Sequence, residues 1–113
     1  MFAFMVASTS KTVSLSGKGF ITTYKSTENS LLLDVRTPDE YASSHVTGAI
    51  NIDYENQTFL SEIKKLDTSK TYFVYCRSGN RSGKAIAIMK TNGFKNIYEL
   101  RGGVGSSPEL LQK

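Results

Sequence analysis

The run Leu31-Leu32-Leu33-Asp34-Val35 constrains this chain more than any other segment, because it is apolar throughout except at Asp34. Such a run suits a strand covered on both faces, as in parallel sheets, although the pattern alone also fits a buried helix. A helix start follows directly. Thr37 stands where an N-cap belongs, Pro38 fits the first helical position, and Glu40, three residues after the cap, completes a capping box. Ser43-Ser44 and Gly48 keep that helix short, and Ala49-Ile50-Asn51-Ile52 then has the character of another short strand.

The alternation continues along the chain. Phe20 and Tyr24 lie four apart and can share one core on a short helix, preceded by a short strand near Val13 and followed by a turn at Glu28-Asn29-Ser30. Phe59, Ile63 and Leu66 recur at helical spacing opposite Glu62, Lys64 and Lys65. After a turn at Asp67–Lys70, Thr71-Tyr72-Phe73-Val74-Tyr75 is rich in aromatic and β-branched residues and is the clearest strand. Ala85, Ile88, Met89 and Asn92 mark a further helical face, stopped by Asn92-Gly93, and Ile97–Leu100 forms a last strand. Strands alternating with helices imply right-handed crossovers and an α/β domain with a central, mostly parallel sheet flanked by helices in three layers. In such sheets ligands bind at the carboxyl ends of the strands, and Cys76 stands at one of those ends.

At 113 residues, with 39% hydrophobic and 21% charged content, the chain is sized for one ordinary globular domain. Residues 1–12 are assigned to a flexible arm or first strand, and residues 13–113 to the single domain. The apolar opening Met1–Ala7 has no basic residue before it and is short for a signal-peptide core. No apolar run approaches the ~18 residues of a spanning helix, so no membrane partner is expected. One cysteine and one histidine rule out an internal disulfide and a Cys/His zinc site, and neither metal nor cofactor is expected. The unpaired thiol fits a reducing compartment and favours the cytoplasm, with a periplasmic or secreted protein after signal removal as the alternative. The net charge of +4 is scattered apart from a group between Arg77 and Lys84. No nucleic-acid partner is expected, since a small anionic substrate accounts for a local positive field equally well.

The segment Cys76-Arg77-Ser78-Gly79-Asn80-Arg81-Ser82 joins a strand to a helix. A loop of this kind can turn consecutive backbone N–H groups inward at a helix N-terminus, and Gly79 permits the positive φ that so tight a curve requires. An anion at its centre would meet backbone donors, the helix dipole, the planar forks of Arg77 and Arg81, and the hydroxyls of Ser78 and Ser82. The same surroundings favour the Cys76 thiolate over the thiol. No histidine lies in the loop, so electrostatic activation is favoured over a neighbouring general base.

Four segments in order resemble the rhodanese homology family: Leu32–Tyr41 with its Asp34-Val35-Arg36, Ser44–Ile52, Tyr75–Ser82 and Leu100-Arg101-Gly102-Gly103. The resemblance spans Leu31 to Val104. It implies a rhodanese-like α/β fold and a persulfide mechanism. In the mechanism so implied, the Cys76 thiolate would take sulfur from a small anionic donor such as thiosulfate and pass it to cyanide, a cellular thiol or a protein. It also implies substrate binding by Arg77, Ser78, Gly79, Asn80, Arg81 and Ser82, with Asp34 hydrogen-bonding in support of the loop. Arg36 is expected to pair with Glu40 one helical turn along, and His45 to serve packing. Gly48, Gly102 and Gly103 are expected to set backbone conformation.

Loop length separates this reading from the phosphatase branch of the same fold, which resembles Cys-x5-Arg. Here Arg81 comes one residue early and Ser82 takes the phosphatase arginine position. The shorter ring favours sulfur over phosphate or arsenate. Two departures from the family pattern stand out. Val104-Gly105-Ser106-Ser107 replaces the aromatic often found after Gly-Gly, which implies a more open or less ordered rim, and Ser44 and Thr47 replace frequent Gly and Pro. A non-catalytic binding or regulatory module, and at greater distance a phosphatase or arsenate reductase, are the competing readings.

Overall fold

The computed structural model describes residues 11–113. The chain order is β1 (Lys11–Leu15), α1 (Gly17–Ser26), β2 (Ser30–Asp34), α2 (Pro38–Ser43), β3 (His45–Val46), β4 (Ile50–Asn51), α3 (Phe59–Ile63), β5 (Thr71–Tyr75), α4 (Asn80–Thr91), β6 (Asn96–Leu100), α5 (Gly103–Ser106), a 3₁₀ turn (Pro108–Leu110) and β7 (Leu111–Gln112). Lys11 and Thr12, which fall in the segment assigned by sequence to a flexible arm or first strand, pair with Asn96 and Ile97 in the sheet. The rest of that segment, residues 1–10 with the apolar opening, lies outside the described residues.

Five strands form one parallel sheet in the order β1-β6-β5-β2-β4, and β3 pairs with β7 in a separate antiparallel bridge. From β2 the chain moves outward to β4, whereas from β5 it moves the other way to β6, so the topology reverses between β2 and β5. The crevice beyond the carboxyl ends of those two strands is where an open α/β sheet receives ligands. Both loops that matter start there: Asp34 is paired with Tyr75, and the next residues of the two strands are Val35 and Cys76.

Alternation of side chains across β2 and β5 divides the core in two. Leu33, Val35, Tyr72, Val74 and Cys76 pack with Phe59 and Ile63 of α3 and with Ala85, Ile86 and Met89 of α4. Leu32, Phe73 and Tyr75 face the other way, with Phe20 of α1, Val46, Leu100 and Val104. Leu32, Leu33, Phe73 and Val74 are wholly buried, each worth about 1.5–3 kcal/mol of transfer from water. That double burial is why the Leu31–Val35 run is apolar on both faces apart from Asp34. Thr37 and Glu40 form the expected reciprocal capping box, and Asn92 and Gly93, at φ 93°, end α4. The buried face of α4 runs through Ser82, Ala85, Ile86 and Met89; Ile88, assigned to it by spacing, is only half-buried. Among the described residues no helix is long and apolar enough to cross a membrane.

Candidate active site

The loop from β5 to α4 curls around the sulfur of Cys76. Gly79 sits at φ 100° as the residue preceding α4, and its N–H donates to Cys76 Sγ at 3.0 Å. Ser82 Oγ, on the first turn of the helix, lies 3.4 Å from the same sulfur. The backbone N–H groups of Ser78 and Ser82 also favour the thiolate. Burial by itself pushes the thiol up. The Ser82 hydroxyl and these backbone donors outweigh it, so Cys76 ionises below its ordinary value.

A second segment holds the loop in this shape. Val104 N–H donates to the carbonyl of Cys76 at 3.0 Å, and Gly105 N–H to that of Arg77 at 2.7 Å. With these carbonyls tied outward to α5, the following amides are free to turn inward. Gly103 makes the approach possible, because a Cβ there would overlap the Arg77 carbonyl. Gly103 also has φ 65°, in the left-handed region. Gly103 thus does more than set its own turn: it lets α5 lie against the cysteine loop, whereas a Cβ at Gly102 would meet Ser106 of α5 itself.

The rhodanese-like domain family matches residues 22–106 of this sequence. The chain belongs to that family. It is 36% identical over 76 residues to thiosulfate sulfurtransferase GlpE of Pseudomonas entomophila, covering 67% of this chain and 68% of that protein. It is also 37% identical over 81 residues to the tRNA uridine(34) hydroxylase of Buchnera aphidicola, covering 68% of this chain but only 26% of that much longer protein. A rhodanese-related protein from Thermoplasma volcanium has the same architecture, with a TM-score of 0.72 and 30% identity over 86% of this chain and 91% of its own.

Within this rhodanese-like domain the sequence-derived site residues separate into groups. Cys76, Ser78, Gly79 and Ser82 converge, the serines through backbone and, for Ser82, hydroxyl. Arg77 and Asn80 are exposed on the rim. Arg77 makes no ion pair among the described residues and lines a cleft of about 560 Å³ together with Arg36, Glu40, Val104, Gly105 and Leu111. The segment after the glycine pair, expected to be more open or less ordered, is a helical turn, α5. Arg81 engages Glu40 with its fork, through bonds of 2.7 and 3.1 Å, while its charge still acts on Cys76. Hydrogen bonding from Arg81 is the main cause that holds the Glu40 carboxyl at about 2, against an ordinary 4.5.

Two expectations are corrected. Arg36 does not pair with Glu40; it forms a fork with Asp34, the shortest contact being 2.7 Å, and donates to the Ser44 carbonyl at 2.7 Å. Helical spacing did not apply, because Arg36 precedes the N-cap, and the capping box turns Glu40 toward Thr37. Asp34 does not bond to the cysteine loop. It accepts from Arg36 and from the Tyr75 hydroxyl, at 2.8 Å, on the face of the sheet opposite Cys76. Burial first, and then the Asp34 charge, push the Tyr75 phenol well above its ordinary range. His45 stacks on Tyr41 at 3.7 Å, and its Nδ1 lies 2.8 Å from the Tyr41 carbonyl.

One residue at the site carried no signal in the sequence beyond its place in a strand. Glu99 Oε2 accepts from Ser82 Oγ at 3.0 Å, so the buried cysteine, the buried serine and a half-buried carboxylate form one chain. Asn51 was equally silent: its amide donates to the carbonyls of Asp34 and Arg36, at 3.0 and 2.9 Å, and pins the loop after β2.

Proposed function

We propose that the protein is a sulfurtransferase that carries sulfane sulfur on Cys76 as a persulfide. The observation that carries this reading is the convergence of backbone N–H groups and the Ser82 hydroxyl on a single sulfur at the start of α4. Such an arrangement stabilises negative charge at Sγ before attack and on the outer sulfur afterwards, without reorganisation during the reaction. The thiolate attacks the outer sulfur of thiosulfate. A sulfur–sulfur bond to Cys76 forms as the bond to the sulfonate breaks, and sulfite leaves with the electron pair. A nucleophile such as cyanide or a thiolate then attacks the persulfide's outer sulfur, and Cys76 leaves as the thiolate.

Arg77, exposed and in no ion pair among the described residues, stands beside the cleft and meets the anionic donor or an acceptor approaching along it. Arg81 contributes through the field it exerts on Cys76, its fork being engaged by Glu40. A persulfide cycle that depends on a free thiol suits a reducing compartment such as the cytoplasm. Phosphoryl chemistry is disfavoured, because Ser82, buried and bonded inward, stands where that branch places its arginine.

A second reading draws on one observation: Cys76 has no exposed surface, while Arg77, Ser78 and Asn80 of its loop are exposed. In that reading the loop serves as a contact surface and the thiol never reacts. Steady-state kinetics with thiosulfate and cyanide separate the two. Sulfur transfer gives thiocyanate with parallel double-reciprocal lines, lost in Cys76→Ser. A folded, reduced protein that yields no thiocyanate with thiosulfate or with a persulfide donor contradicts it.

A further inference from the structure

The hydroxyl of Ser82 has one proton and two claimants. Its oxygen lies 3.4 Å from Cys76 Sγ and 3.0 Å from Glu99 Oε2. With the thiol protonated both contacts are satisfied in sequence: S–H donates to Ser82, and Ser82 donates to the Glu99 carboxylate. Once the thiol proton has left to solvent, the sulfur becomes an acceptor. Ser82 can then serve it only by turning its proton away from Glu99. Ser82 is wholly buried, so water does not offer a substitute donor at no cost.

We propose that Glu99 restrains the ionisation of Cys76 by holding the hydroxyl proton of Ser82, and that it does so as a positioning residue rather than by contact with sulfur. The inference rests on Cys76 being the reacting group of the sulfur-transfer cycle. It adds a brake to a loop that otherwise favours the anion. The brake acts on the free thiolate more than on the loaded enzyme, since in the persulfide Sγ is a divalent, uncharged sulfur and the negative charge sits on the outer atom. Glu99 therefore biases the site toward the sulfur-loaded state.

The surroundings leave few other groups that could produce this effect. On α4, the Arg81 charge acts on Cys76 in favour of the thiolate, opposite in sign to the restraint, and its fork is engaged by Glu40 of α2 with Glu55 also in its field. From the flanking strands Glu99 is paired with Ser14 of β1 and Val74 of β5, neither of them ionisable. Asp34, Arg36 and Tyr75 belong to the opposite face of the sheet.

Because the chain has one cysteine, the pH dependence of its alkylation by iodoacetamide reads Cys76 alone. Glu99→Gln is expected to move the profile to lower pH. On the acid limb the rate rises about threefold, since a thiolate fraction enlarged about tenfold is offset by the weaker nucleophilicity of a less basic thiolate. Glu99→Asp keeps the charge but withdraws the carboxylate by one methylene, and is expected to shift the profile in the same direction. Ser82→Ala is expected to move it to higher pH and to abolish the effect of Glu99→Gln in the double variant. An unchanged or upward-shifted profile in Glu99→Gln overturns the proposal. So does a Glu99→Asp profile identical to that of the parent, or a Glu99→Gln shift that persists without Ser82, since either leaves only through-space charge. Alkylation does not require turnover, so a protein with these shifts but no sulfur transfer would contradict the sulfurtransferase reading and leave the Glu99 restraint standing.

Discussion

Strands β2 and β5 end in two polar clusters that lie back to back. On one face Asp34, Arg36 and Tyr75 are buried together, and on the other Cys76 and Ser82 are buried to the same degree. In the first cluster the charges answer one another: the Arg36 fork closes on Asp34, the Tyr75 hydroxyl donates to the same carboxylate, and Val46 N–H donates to that hydroxyl. In the second, several donors converge on one polarisable sulfur that carries a full charge only when ionised. Burial is equal, so burial does not distinguish architecture from chemistry here. What distinguishes them is whether the donors already have a charged partner of their own, as buried charges require, or, on the proposed sulfur-transfer cycle, are held ready for one that forms during reaction.

The sharpest way to break the comparison is to remove the central atom on each side. Cys76→Ser is expected to cut sulfur transfer by at least about a thousandfold while thermal unfolding changes little, because a hydroxyl fills the same site. Asp34→Ala is expected to do the reverse. It leaves Arg36 buried without its partner and destabilises the fold by about 3–5 kcal/mol, seen in denaturant unfolding. If Asp34→Ala lowered transfer with stability intact, the division between the two faces would fail.

Two smaller changes sharpen it. Gly103→Ala places a methyl group against the Arg77 carbonyl and is expected to shift the loop enough to lower transfer by about ten- to a hundredfold, measured as thiocyanate release, with Val104→Ala as a milder neighbour for comparison. The Glu40–Arg81 pair gives the smallest effect and a pH signature. The folded carboxyl is depressed to about 2 from 4.5, so its contribution is complete above about pH 4.5 and is lost as pH falls through that window toward 2. Glu40→Gln is expected to lower stability at neutral pH by about 1–2 kcal/mol, allowing for the solvent that reaches the pair, and to flatten stability against pH within that window.

Much of this organisation was legible in the sequence where the signal was local. The apolar run at Leu31–Val35, the capping box at Thr37 and Glu40, and the strand ending just before Cys76 each depend on neighbours within a few positions. The cysteine loop was legible for the same reason, as Gly79 and Ser82 act on Cys76 from three and six residues away. What was not legible depends on distant pairing. The β3–β7 bridge has two residues a side and no periodicity. The partner of Arg81 is Glu40, 41 residues earlier. Glu99 meets Ser82 across 17 residues and from a different element, and nothing in Ile97–Leu100 marks one strand position as functional. The error at Arg36 has a specific cause: a helical rule was applied to a residue that stands before the helix begins.

The central claim is that donors gathered around Cys76 serve a sulfur-bearing anion, and intact-protein mass spectrometry tests it most directly. The reduced protein is incubated with thiosulfate, weighed, and weighed again after cyanide is added. The account expects a gain of one sulfur atom on Cys76, absent in Cys76→Ser, and its removal by cyanide with release of thiocyanate. A folded protein with a free thiol that takes up no sulfur, from thiosulfate or from a persulfide donor, would contradict it.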